Sequence, residues 1–193
     1  MRQRGQSLAT RTPHLDATSE AAMRQQLRDY FTSTFDSYTH LFNALSDPRG
    51  FYEKAISLRH PLIFYYGHTA TFFVNKMLLA RLMETRIDER LESIFAVGVD
   101  EMSWDDLNEA NYDWPPVEEV TAYRAKVRKA VVDIIEQAPL TLPINWQHPW
   151  WSIIMGIEHE RIHLETSSVL IRQQKLAWVQ PISGWTPCQE SGE

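Results

Sequence analysis

MGIEHERIHLETSSVLIRQ, residues 155–173, places His159 and His163 four apart in a run that reads as one helix beginning at Pro149. At about 100° per residue the two imidazoles lie about 40° apart on one face. Ser152, Met155, Ile162, Thr166, Val169 and Leu170 share that side, so both rings are expected to face an apolar stripe. Glu158, Arg161, Glu165 and Arg172 fall on the other side, with Arg161 and Glu165 spaced for an exposed i,i+4 pair. A lone histidine on such a stripe is ordinarily a hydrogen-bonded core residue. Two at this spacing have Cβ atoms about 5–6 Å apart, close enough for their ring nitrogens to share one ion at about 2.0–2.1 Å each. Left unpaired, two imidazoles buried side by side would only cost free energy. The pair therefore predicts a metal site.

A third ligand must come from another helix. His68, in YYGHTATFF, shares a stripe with Phe64, Tyr65, Thr71, Phe72 and Leu79 and is expected to point inward. His14, His40, His60 and His148 suit the role less. His14 precedes the helices, His40 is off its helix's stripe, and His60 and His148 stand before helix-starting prolines.

Three further helices are expected around this one. The first runs from about Ser19 with Leu27, Phe31, Phe35, Tyr38 and Leu45 at helical spacing, and SDPRG (46–50) stops it. The second opens at Pro61 and runs to about Arg86, with Gly67 tolerated inside it for close packing. Residues 87–115 carry acids, aromatics and prolines without a sustained period, which predicts a long connection with one short helix at 103–109. The third helix starts near Pro116 and presents Val117, Val120, Tyr123, Val127, Val131 and Ile134 on one side. The pattern predicts an all-α four-helix bundle with a long connection between helices 2 and 3, a fold whose metal sites use inward-facing side chains. Residues 1–17 read as a flexible arm, 18–175 as the bundle, and 176–193 as a linker or tail.

Composition narrows the function classes. The chain has 193 residues, 44 % hydrophobic and 23 % charged, with a net charge of −6. One soluble domain is expected, and no general nucleic-acid surface, since phosphate binding needs clustered Lys and Arg. Cys188 is the single cysteine, which fits a reducing compartment, and the expected location is cytoplasmic. Polar residues interrupt the apolar segments 61–83 and 149–157, so no membrane span is expected.

HERIH also satisfies H-E-x-x-H, in which Glu160 would be the general base of a zinc protease. The third histidine and the glycine of the extended protease pattern are absent from HLETSSVLIRQ, and no glutamate follows on a continuing helix. Glu160 and His163 form Glu-x-x-His, which di-iron bundles use twice, but Tyr65 stands where the second glutamate would precede His68. Three neutral histidines leave a divalent ion with open positions. Iron(II) suits thiolate and dioxygen chemistry there; zinc or nickel suits Lewis-acid work.

RHPLIFYYGHTATFFVNK (59–76), SIFAVGVDEMSWDDLN (93–108), YDWP (112–115) and the 155–173 stretch together resemble the N-terminal, DinB-like helical domain of 5-histidylcysteine sulfoxide synthases of ovothiol biosynthesis. Ergothioneine sulfoxide synthases are the sister group. The resemblance implies a non-haem iron(II) enzyme that uses dioxygen to join the sulfur of cysteine to the imidazole of histidine as a sulfoxide. It maps the iron site onto His68, His159 and His163 and assigns Glu160 no catalytic role. It also implies a C-terminal formylglycine-generating-enzyme-like domain, in cis or in trans. Since the sequence stops where a linker to that domain would start, the expectation is a metal-binding half that is inactive alone.

Two other readings stand beside this one. A DinB-like thiol transferase using zinc or nickel would need the same bundle and triad. A non-enzymatic docking module could instead use Trp104, Trp114, Trp146, Trp150 and Trp151, which lie in or beside connections. Arg86 and Arg90 suit either a substrate carboxylate or surface ion pairs.

Overall fold

The structure, a computed structural model, describes residues 12–96 and 113–184. Among them are six α-helices: α1 (Glu20–Leu41), α2 (Arg49–Tyr52), α3 (Leu62–Leu79), α4 (Glu89–Ala96), α5 (Val117–Gln137) and α6 (Trp151–Arg172). Two short 3₁₀ turns cover Phe42–Ala44 and Leu176–Trp178. The described residues form no strand beyond an isolated antiparallel bridge between Leu45 and Val179.

Local chemistry sets the helix ends. Ser19 Oγ accepts from the Ala22 amide at 3.2 Å and caps α1, which then buries Met23, Leu27, Tyr30, Phe31, Phe35 and Tyr38 at helical spacing. The helix ends at Leu41 and tightens into the 3₁₀ turn, rather than continuing to Leu45. In α3 the expected run to Arg86 stops at Leu79. Arg81 takes a φ of 58°, and the Leu82 amide bonds back to the Met77 carbonyl at 2.9 Å, closing the helix in a left-handed turn that the continuing apolar run LLARLM had masked.

Helix α4 falls inside the stretch expected to be a long connection with its short helix at 103–109. Glu92 accepts from the Ile87 and Asp88 amides at 2.9 and 3.0 Å, and Asp88 caps the Leu91 amide at 3.0 Å. That reciprocal cap starts a helix too short for periodicity to reveal. The short helix expected at 103–109 lies outside the described residues.

Every residue of α3 from Leu62 to Val74 is buried, which makes it the central helix, with α4, α5 and α6 packed on it and α1 packed on α5 and α6. Two glycines allow the closest approaches. A Cβ on Gly67 would stand 2.3 Å from the Phe95 ring, and one on Gly156 would stand 2.4 Å from Phe73. Gly67 thus admits α4 against α3, and Gly156 admits α3 against α6. Both ends of the described chain are held to this body. Thr12 donates to Glu158 at 2.8 Å, the Leu15 carbonyl accepts from the Ile144 amide, and the Ser46 amide donates to the Trp178 carbonyl. No helix among the described residues is long and apolar enough to cross a membrane.

Candidate metal centre

His68 on α3 and His159 and His163 on α6 come together where the two helices meet, with one potential ligand atom from each ring lying within 4.8 Å of the others. Ring centroids are 5.1 Å apart for His68 and His159, 5.1 Å for His68 and His163, and 4.5 Å for the α6 pair. The Nε2 atoms of His159 and His163 stand 3.2 Å apart. Two nitrogens bonded to one ion at about 2.0–2.1 Å are separated by about 2.9–3.4 Å for ordinary bond angles, so this pair already has the required spacing.

Each ring is oriented by a neighbour. His68 Nδ1–H donates to the Phe95 carbonyl at 2.9 Å, which leaves its Nε2 as the lone-pair nitrogen, and Phe64 stacks on it at 4.9 Å. Phe72 lies flat on His159, with centroids 3.8 Å apart and planes 9° from parallel. Tyr65 packs beside His163 at 5.8 Å. The Nδ1 atoms of His159 and His163 are buried and have no hydrogen-bond partner among the described residues.

Burial keeps all three rings neutral. It pulls His68 below the usual imidazole range, against the hydrogen bond to Phe95. Burial lowers His159 to about 2, helped by His163, His68 and Lys76, and lowers His163 to about 4, helped by His68 and Arg59. Neutral imidazoles with converging lone pairs and a matched nitrogen spacing fit a divalent transition metal. They offer nothing to a hard cation that needs oxygen ligands.

The orientation of α6 corrects the expected stripe. Met155, Ile162 and Val169 are 41, 62 and 45 % exposed, while Ile153, Ile157, Glu160, Ser167 and Ile171 form the buried face. The helix is turned about 100° from the hydrophobic reckoning, and His159 and His163 sit half-buried on its flank. Gly156, Ser167 and the paired Glu160 interrupt the isoleucines of the buried face, while exposed Met155, Ile162 and Val169 imitate a stripe, so apolar residue type alone mislocated it. Arg161, assigned to the solvated side, lies over the Tyr30 ring at 5.2 Å.

The remaining histidines stand elsewhere. His60 packs on Phe64 at 4.3 Å, His148 Nδ1 accepts from the Trp150 amide at 3.1 Å, and His40 Nε2 meets the Ser183 carbonyl at 2.8 Å. Arg86 bonds Glu92 and Asn75, and Arg90 pairs with Glu119. Beside Phe72 opens a cavity of about 390 Å³ lined by Asn75, Lys76, Leu78, Leu79, Arg86 and Ala96.

Two buried charges next to the triad went unforeseen. Arg124 of α5 is 1 % exposed and Glu160 is 0 % exposed, and they pair at 3.0 Å. Burial pushes the Glu160 carboxyl above the usual carboxylate range, with Arg124 and Thr69 acting against that rise. A readable signal existed. Val120, Arg124, Val127 and Val131 run at i, i+4, i+7 and i+11, so the arginine occupies an apolar-stripe position; Ile153, Ile157, Glu160 and Leu164 do the same in α6.

The sequence profile of the DinB superfamily matches residues 12–167. This chain belongs to the DinB superfamily. A relative of this DinB-like chain, ergothioneine biosynthesis protein 1 of Neurospora crassa, is 30 % identical over 126 residues, covering 63 % of the chain. The chain spans 14 % of that relative's length.

Proposed function

We propose that this DinB-like chain is the metal-binding half of a non-haem iron(II), dioxygen-dependent sulfoxide synthase that joins cysteine sulfur to the histidine imidazole, as in ovothiol formation. The observation that carries the reading is the meeting of three neutral imidazoles, two of them with Nε2 atoms 3.2 Å apart, on helices of a chain similar to an ergothioneine biosynthesis protein. His68, His159 and His163 would hold the ion, on the four-helix bundle of residues 18–175. When bound, iron(II) supplies a redox-active Lewis acid with positions open to substrate.

The chain's own groups prepare that site. Burial keeps the imidazoles deprotonated at neutral pH, so no proton competes for the lone pairs. The Phe95 carbonyl fixes the tautomer of His68, and Phe72 holds the His159 ring plane. Lys76, lining the cavity beside Phe72, would present positive charge to an amino-acid carboxylate, while Arg86 is already held by Glu92 and Asn75. A formylglycine-generating-enzyme-like domain, in the same chain or a separate one, would complete the substrate pocket, and a cytoplasmic setting belongs to this reading.

Anaerobic metal analysis, ultraviolet-visible spectra on adding cysteine, and an aerobic assay with cysteine and histidine test it. One iron per chain and a thiolate-dependent band are expected, with sulfoxide formed once the partner domain is present. A protein that binds no metal, or keeps it after His68→Ala and His159→Ala together, removes the proposal. Preference for zinc or nickel with oxygen-independent thiol transfer moves the assignment to a DinB-like thiol transferase.

A further inference from the structure

The residue that follows His68 in α3 is Thr69, and the residue that follows His159 in α6 is Glu160. These two neighbours meet directly: Thr69 Oγ1–H donates to Glu160 Oε1 at 3.1 Å. Arg124 of α5 completes the triangle. Its NH1 donates to Thr69 Oγ1 at 2.9 Å and to the Tyr66 carbonyl at 2.9 Å, and its NH2 donates to Glu160 Oε1 at 3.0 Å and to Thr39 Oγ1 of α1 at 2.9 Å. A hydroxyl has one proton, and because Arg124 can only donate, its bond to Thr69 forces that proton toward the carboxylate. The guanidinium itself is fixed among the rings of Phe35, Tyr66 and Tyr38, at 4.3, 4.9 and 5.1 Å from their centroids.

This is an expensive way to fill a core. Apolar residues of similar volume in place of a buried ion pair are often neutral or stabilising, so stability alone gives no reason for the arrangement. Glu160 Oε2 is buried without a partner among the described residues, a further cost the fold accepts. What the triangle does supply is a fixed distance and register between two helices, at the residues adjacent to two of the three imidazoles.

We propose that Arg124 is a positioning residue for the three-histidine centre: acting through Thr69 and Glu160, it locks α3 against α6 so that His68 meets His159 and His163 at a common point. The inference rests on the metal-site reading above. Through its guanidinium Arg124 bonds Thr39, Tyr66, Thr69 and Glu160 rather than a ligating ring. Its five-donor planar group reaches three helices at once, which a lysine, with one point of charge, does not.

Cobalt(II) titration of the metal-free protein tests this, with affinity measured by competition and geometry by the visible ligand-field band. The informative variant is the double replacement Arg124→Met with Glu160→Leu, which removes both charges and keeps the volume. It is expected to retain wild-type helix content and thermal midpoint, to bind cobalt about 10–100-fold more weakly, and to show a shifted band. Thr69→Val, which removes only the bridging hydroxyl, should weaken binding less and shift the band in the same direction; it decides the matter if the double variant does not fold. Wild-type affinity and an unchanged band in the folded double variant, or in Thr69→Val if that variant must decide, overturn the positioning role and leave the metal site standing. Wild-type protein that takes up no cobalt overturns the metal site and this inference with it.

Discussion

Two polar clusters lie one residue apart along both α3 and α6, and they are finished in opposite ways. Thr69, Glu160 and Arg124 are fully buried and bonded to one another, with a single carboxylate oxygen left over. His68, His159 and His163 are nearer the surface, repel protons, and leave two Nδ1 atoms without partners among the described residues. A cluster whose members satisfy one another is suited to holding shape. One whose lone pairs converge on a common space is suited to receiving something. The difference is testable through stability, because only the first cluster should matter greatly to folding of the metal-free protein.

The largest expected effect comes from breaking the first cluster on one side. Arg124→Ala or Glu160→Ala strands a buried charge and should cost about 3–5 kcal/mol in urea unfolding. His163→Gln in the metal-free protein should change stability by no more than about 1 kcal/mol while abolishing tight metal uptake, since no native hydrogen bond to another residue type is lost. Equal losses from the two substitutions would erase the contrast.

Intermediate effects are expected where the helices touch. Gly156→Ala drives a methyl group into the Phe73 ring and Gly67→Ala drives one into Phe95, each costing about 1–3 kcal/mol by thermal denaturation. Gly156→Ala should also weaken metal binding, because α6 must shift away from α3. A smaller loss, about 1 kcal/mol, is expected for Tyr38→Phe, whose hydroxyl bridges the Tyr65 carbonyl of α3 at 3.0 Å and Ser167 of α6 at 2.9 Å.

Proton linkage separates the clusters again. Burial lowers His159 to about 2 and His163 to about 4 in the folded chain, against about 6.5 when unfolded. In that interval the unfolded chain binds more protons, so stability is fully present above pH 6.5 and declines as pH falls toward 4 and below. Melting curves of the metal-free protein should follow this course. Replacing both histidines by glutamine should flatten it, and an unflattened curve would assign the acid sensitivity to other groups.

Much of the helical order could be read from side-chain spacing. Leu27, Phe31, Phe35 and Tyr38 recur every three or four residues and are buried in α1, and Val120, Tyr123, Val127 and Val131 do the same in α5. His68 was visible as a candidate because it sits in an apolar stretch opposite a spaced pair. Helix ends were less legible. Leu82 and Met83 extend the apolar rhythm past Leu79, although the backbone reverses at Arg81. The facing of α6 was lost for a different reason. Exposed Met155, Ile162 and Val169 imitate a core stripe, whereas the true one contains Glu160, whose charge is tolerable only because Arg124 lies across from it. A pairing between distant helices cannot be seen in the periodicity of either one, though each charge at a stripe position hinted at it.

Gly156 stands three residues before His159, and its bare backbone against Phe73 sets how closely the helix carrying both α6 rings can approach α3. Rotating or lifting the helix would push its backbone onto or off the aromatic plate of Phe73. The angular setting of two donors is therefore written in a position that donates nothing. A relative that preserved all three histidines but carried a bulkier residue at this point would have the right atoms aimed at the wrong place.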